Sequence, residues 1–284
     1  MSGGACTLGN PGGASVQYAQ GATFQGTSRY AILRRLGAGG SGIVYEAFDR
    51  ERQCKVALKT LALSDPEALY RFKREFRALS DVSHPNLVTL HELVVLGDTV
   101  FFTMELITGV DLLAYVWRGD GDVIRRALQK PQDPTTVRAG ARGLTPDLGE
   151  GSADAGPLSA RRHVVVDYDR LRGALAQLAL GVTALHNAGL LHRDIKLSNI
   201  LMTGEDRLVL LDFGIATELY APSDRLDPAT LVGTPEYMAP EQGALEPLTT
   251  AADWYAVGVV LYKVLTGRAP FVGAPLRVLL EKQR

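Results

Sequence analysis

The chain is short of several features that would class it at once. It has only two cysteines, Cys6 and Cys54, too few for a disulfide framework and in keeping with unpaired thiols in a reducing compartment. No window approaches the ~18 consecutive apolar residues that a membrane-crossing helix requires. The first residues also lack the basic and apolar regions of a secretory signal. Charge of one sign is missing too: 30 Lys and Arg against 31 Asp and Glu leave a formal net charge of −1. That balance removes the electrostatic case for nucleic acid or an acidic membrane surface. No internal repeat is found. The expectation is a cytoplasmic protein with no nucleic-acid partner and no membrane segment in this chain, its oligomeric state open.

What is present is ordinary globular composition, and 284 residues suffice for one large domain or two lobes. Residues 1–28 are rich in Gly, Ala, Ser and Gln and bury too little apolar surface to offset their ordering entropy, so a flexible tail is expected. From Tyr30 onward short β-type runs follow one another: Ala31-Ile32-Leu33, Ile43-Val44-Tyr45-Glu46-Ala47 and Val56-Ala57-Leu58-Lys59. They read as an antiparallel meander. Leu69, Phe72, Phe76 and Leu79 recur at helical spacing, and Leu87–Val95 and Thr99–Glu105 read as two more strands. Beyond Gly109 the pattern turns helical. Leu171, Leu175, Leu178, Val182 and Leu185 share one helix face, and Trp254, Val257, Leu261 and Val264 outline another. Residues 118 to about 162 are dense in Gly, Pro, Asp and Arg without periodicity, which suggests a disordered surface insertion.

Gly37, Gly39 and Gly42 form G-x-G-x-x-G, a spacing that dinucleotide-binding folds share. Those folds need a helix after the glycines, to bring its N-terminus to the pyrophosphate. Here a β run follows, so the expectation is a hairpin whose backbone can lie over phosphates. Lys59 ends the third β run. An ammonium among apolar residues needs a partner, and Glu75, at the edge of the following helix's apolar face, is the candidate.

The most specific signal is His192-Arg193-Asp194-Ile195-Lys196-Leu197-Ser198-Asn199, followed by Leu211-Asp212-Phe213-Gly214. Phosphoryl transfer asks a protein for positioning and charge neutralisation rather than covalent chemistry. Asp194 suits the orientation of an attacking hydroxyl, and Lys196 suits charge on the phosphoryl group in transit. Asn199 and Asp212 are hard-oxygen donors of the kind Mg²⁺ prefers.

With these motifs in order, and with Ala239-Pro240-Glu241 beyond them, residues 29–284 resemble the eukaryotic-type (Hanks-type) protein kinase family, in its bacterial Ser/Thr branch. The resemblance implies an α+β, bilobal protein kinase fold. Its N-lobe (29–105) would hold a five-stranded antiparallel sheet plus one helix, followed by a hinge (105–110) and a mainly helical C-lobe (111–284). It also implies ATP with Mg²⁺, or Mn²⁺ as an alternative metal, and protein substrates bearing Ser or Thr. Position by position, Met104 matches the gatekeeper, Glu105 and Leu106 the adenine-binding hinge, and Asp111 the ribose contact. Val44, Ala57 and Leu201 match the residues that sandwich adenine. Leu79, Leu90, His192 and Phe213 match an internal spine anchored by Asp253. Lys196 together with Gly233–Met238 is similar to the Ser/Thr pattern.

Arg193, beside Asp194, suits a phosphate on the activation segment, with Thr230 the first candidate and Ser223 the second. The family normally continues through further helices past the position of Arg284. One expectation is therefore a C-lobe that is incomplete, with Glu241 lacking its usual arginine, and a weak or inactive nucleotide-binding fragment as the alternative function.

Overall fold

A computed structural model of the chain describes residues 24–39, 42–61, 66–97, 99–118, 165–213 and 235–283. The expected tail up to residue 23, most of the insertion, and both phosphosite candidates lie outside the described residues.

Five strands build the first sheet: β1 (Tyr30–Gly39), β2 (Gly42–Asp49), β3 (Cys54–Leu61), β4 (Leu90–Leu96) and β5 (Thr99–Glu105). Their spatial order is β1-β2-β3-β5-β4, antiparallel throughout. The meander expected from the sequence for the first three strands holds. Helix α1 (Pro66–Ser80) intervenes after β3, and β4 becomes the outer strand while β5 returns between it and β3. The period-2 alternation of a strand sorts the side chains of β3. Val56 and Leu58 pack with Tyr45, Ala47 and Phe101 on one face. Ala57 joins Phe72, Phe76, Phe102 and Met104 in the larger core on the other. Lys59 follows Ala57 by two residues and so shares its face.

A charged cluster fastens the outer end of this sheet. Arg29 Nε and Nη2 donate to both oxygens of Asp49 at 2.9 and 2.8 Å, and Nη1 donates to Glu92 at 2.8 Å. Asp49 is 1 % exposed and also accepts the backbone N–H of Glu51 and Arg52. The Arg29 hydrogen bonds hold the Asp49 carboxyl at about 2. A depressed carboxylate pKa supplies stability above its unfolded value that is lost as pH falls through the folded one. Asp49 should thus cost the fold about 2 kcal/mol between pH 4 and pH 2. Arg29→Met should lower the urea midpoint at pH 7 and abolish that acid-dependent loss, as urea titrations at several pH values will show.

The second lobe begins with β6 (Gly109–Asp111), α2 (Leu112–Val116) and β7 (Trp117–Arg118). It continues through β8 (Val165–Val166), α3 (Tyr168–Asn187), a 3₁₀ turn (Leu197–Asn199), β9 (Ile200–Thr203) and β10 (Leu208–Leu210). After the undescribed stretch come α4 (Pro240–Gly243), α5 (Thr250–Thr266) and α6 (Pro275–Lys282). β7 pairs with β8, so the chain leaves for the insertion and returns from it at one place. Helix α3 is capped by the Asp167 carboxylate and stops before Gly189, whose φ of 73° is left-handed and favours glycine. It buries Leu171, Leu178, Val182 and Leu185 as expected, with Leu175 at the margin.

The helix expected around Trp254, Val257, Leu261 and Val264 is present as α5. Ala252, Asp253, Ala256, Val259, Val260 and Val264 are buried, while Trp254 is 40 % exposed. Small residues let α5 approach its neighbours closely, and a spacing count that favours bulky side chains misses them. The two lobes meet at Asn86, whose amide donates to Leu208 O at 2.8 Å and to Gln177 at 2.9 Å. Leu210 N donates in turn to Asn86 O at 2.9 Å.

Candidate active site

Asp253 organises the site from beneath. It is 1 % exposed, and its two oxygens accept the backbone N–H of His192 and of Arg193, each at 2.8 Å. His186 Nε2 meets the same carboxylate at 2.9 Å. A buried carboxylate satisfied by three donors fixes the loop that carries Asp194. His192 is fully buried, and burial pushes its pKa down, so the ring is neutral. Its Nδ1 accepts Asp194 N–H at 3.3 Å, which leaves Nε2 to donate to Leu211 O at 2.9 Å. One imidazole thus ties the Asp194 loop to the Asp212 loop. Its ring also lies 5.5 Å from that of Phe213. Leu79, Leu90 and Phe213 belong to the same buried cluster.

Arg193 and Asp212 flank the site with φ of 65° and 49°. Left-handed backbone at non-glycine residues costs about 1–3 kcal/mol each and gathers where geometry is imposed for function.

The chemistry-bearing side chains form a connected set. Lys196 Nζ lies 2.9 Å from Asp194 Oδ2, and Asn199 Nδ2 donates to Asp194 O at 2.8 Å and Oδ2 at 3.1 Å. Leu211 N donates to Asn199 O at 2.7 Å, which brings Asp212 alongside. Asp212 Oδ1 stands 3.0 Å from Lys59 Nζ. This oxygen is buried and accepts no hydrogen bond among the described residues. The amide nitrogen of Asn199 is committed to Asp194, which leaves its carbonyl oxygen as the coordinating atom. Asn199 and Asp212 therefore fit a hard divalent cation.

Glu75 departs from expectation. Its carboxylate lies 3.6 Å from Arg193 Nη1, while Lys59 is paired with Asp212. The anticipated Lys59–Glu75 pair is absent from the ion pairs of the described residues. In this structure the Lys59 ammonium is taken by Asp212.

Strand register relates several of the expected nucleotide-binding positions to one another. Lys59 lies opposite Val44 on β2 and Phe102 on β5. Met104 lies opposite Ala57 and Leu90. Glu105 N donates to Thr89 O at 2.8 Å, and Leu106 packs against the main core. Asp111 pairs in register with Leu201, so the expected ribose and adenine contacts are neighbours. The Asp111 Oδ1 atom also caps α2 by accepting Ala114 N–H at 2.9 Å.

The glycines divide. Gly37 pairs with Val44 and Gly39 with Gly42 in a β1–β2 hairpin, as the β run after the motif implies. A Cβ on Gly37 would meet nothing within 4 Å, which leaves room for a ligand. Gly42, at φ 139°, would drive a Cβ to 1.7 Å from Thr60 O, so its glycine serves the approach of β2 to β3.

Sequence reasoning missed several contributors. Arg207 Nη2 grips the hinge carboxylate Glu105 at 2.6 Å, and Gln177 joins Asn86 to Leu208. Gly109 allows β6 to lie against β9, because a Cβ there would fall 2.3 Å from Met202 O. Proximity across about a hundred residues leaves no periodic signal. For Gly109, its place within the expected hinge was the one available clue.

A protein kinase domain model matches residues 30–130 and 153–281. The chain is similar to the serine/threonine-protein kinase PknE of Mycobacterium bovis, at 33 % identity over 88 % of this chain and 37 % of that protein. It is similar to pkn2 of Myxococcus xanthus, at 34 % identity over 89 % of this chain and 26 % of that protein. PkaA of Streptomyces coelicolor is 32 % identical over 90 % of this chain and 42 % of that protein. The chain thus spans well under half the length of these relatives. Among solved structures, a mutant form of the Mycobacterium tuberculosis PknI kinase domain aligns with a TM-score of 0.55 and 24 % identity, over 88 % of this chain and 80 % of that one. That likeness concerns the fold. Among the described residues no helix is long and apolar enough to cross a membrane.

Proposed function

The chain belongs to the protein kinase family, and we propose that it transfers the γ-phosphoryl group of ATP to serine and threonine hydroxyls of proteins. One observation carries the reading: Lys59 meets Asp212 at 3.0 Å, Lys196 and Asn199 meet Asp194 at 2.8–3.1 Å, and the Leu211 N–H bond to Asn199 O at 2.7 Å sets the Asp212 loop beside the Asp194 loop. In this reading the Asp194 carboxylate orients the substrate hydroxyl and receives its proton. The hydroxyl oxygen bonds to the γ-phosphorus as the bond to the β–γ bridging oxygen breaks, and ADP leaves. Lys196 offsets charge on the transferring group, and Lys59 holds the non-transferring phosphates. Asn199 and Asp212 would hold Mg²⁺, which would supply neutralisation of the phosphate oxygens. Val44, Ala57 and Leu201 enclose adenine, Met104, Glu105 and Leu106 border it, and Asp111 meets the ribose.

Preference for Ser and Thr is supported by Lys196 beside Asp194 and by the relatives, which are serine/threonine-protein kinases. Incubation with Mg²⁺ and γ-labelled ATP, followed by phosphoamino-acid analysis of protein substrate, should yield phosphoserine and phosphothreonine. Label on tyrosine alone, or no label, overturns the reading.

A further inference from the structure

Near the end of α6 a lysine is used in an unusual way. Lys282 Nζ donates to three backbone carbonyls of one short segment: Pro235 O at 2.7 Å, Glu236 O at 2.8 Å and Met238 O at 2.7 Å. All three ammonium protons are thereby engaged. The same nitrogen lies 5.2 Å from the ring centre of Tyr255 and 5.5 Å from that of Phe271, within reach of cation–π attraction. Burial pulls its pKa down to about 8, with Glu236 opposing. Helix α6 is itself seated firmly. Val278 and Leu279 are buried, and a Cβ on Gly243 of α4 would come within 2.8 Å of Leu279.

The segment that Lys282 gathers leads directly to the catalytic loop. Gln242 Nε2 donates to Arg193 O at 3.0 Å, and Tyr237 and Leu197 belong to the same buried cluster. Lys263 adds a second hold, 2.6 Å from Glu236 and 4.8 Å from the Tyr237 ring centre. Arg193 and Leu197 bracket Asp194 and Lys196 in sequence, so a shift of residues 235–238 bears on the side from which a substrate hydroxyl reaches Asp194. None of these contacts involves Lys59 or the strands around it.

We propose that Lys282 is a positioning residue for protein substrate, holding residues 235–238 in the shape that presents a Ser or Thr hydroxyl to Asp194. The inference rests on the kinase reading and adds a determinant of substrate engagement outside the signature motifs. An ammonium suits the task because three convergent carbonyls match three tetrahedral donors. The planar fork of an arginine does not reproduce that geometry.

The test compares wild type with Lys282→Met and Lys282→Arg, using the best-phosphorylated member of a Ser/Thr peptide library. Peptide KM should rise at least about tenfold in Lys282→Met and by less in Lys282→Arg. KM for ATP and the rate of ATP hydrolysis without peptide should stay within about twofold. Should Lys282→Met not fold, Lys282→Arg carries the comparison by itself. Unchanged peptide KM in the folded variants overturns the inference while leaving the kinase reading intact. Parallel loss of peptide turnover and ATP hydrolysis overturns it as well, because that pattern means general structural support. Absence of any peptide phosphorylation by wild type removes the kinase reading, and the inference falls with it.

Discussion

Replacing Asp194 with Asn should lower phosphoryl transfer to peptide about 10²–10⁴-fold while ATP binding and the fold persist. The carboxylate is held at Oδ2 by Lys196 and Asn199, so its orientation is set by partners that an amide can largely keep. What the amide loses is the capacity to receive the hydroxyl proton. The Asp194 side chain is about a quarter exposed, so the substitution buries no uncompensated charge of its own. Asp253 and His192, which fix the backbone here, are untouched. The expected signature is therefore a fall in kcat with KM for ATP and the thermal midpoint nearly unchanged. A kcat within a few-fold of wild type would move the proton acceptor to another group.

The features legible in the sequence are those written locally. The β1–β2 hairpin followed from a β run after Gly42, and the buried face of α3 followed from the spacing of Leu171, Leu178, Val182 and Leu185. The 192–199 and 211–213 motifs were readable because each group's chemical task is encoded within eight residues. Other features depend on which distant groups converge. Lys59 had two carboxylates within reach of its strand, and no spacing rule chooses between Asp212 and Glu75. The order of β4 and β5 depends on how α1 crosses the sheet. The Arg29 cluster joins three segments that look like ordinary solvated charge one at a time. Lys282 is the extreme case: a single cation at a helix end, meaningful only because three carbonyls more than forty residues earlier turn toward it.

The second large effect is expected at Lys59. In this structure its ammonium neutralises Asp212 at 3.0 Å, and Glu75 lies against Arg193 at 3.6 Å. Bound Mg²⁺ and nucleotide would change both terms, because Asp212 would face a cation and Lys59 would be offered the phosphates as a new anion. Under the proposed function Lys59 would then exchange partners, and Glu75 on α1, in the same lobe as Lys59, is the carboxylate to test. Lys59→Met should lower kcat/KM about 10²–10³-fold, the range for removing one fixed charge aimed at the reacting groups. Lys59→Arg should restore little, because a broad planar fork replaces a compact point charge. Glu75→Gln separates the two arrangements. If Glu75 holds Lys59 during turnover, the double variant Lys59→Met/Glu75→Gln should be scarcely worse than Lys59→Met, with a coupling of about 1 kcal/mol or more. If Glu75 serves only to hold Arg193, the two losses should add. Non-additivity is the expected result, because an ammonium among apolar β residues needs a carboxylate of its own once Asp212 is engaged.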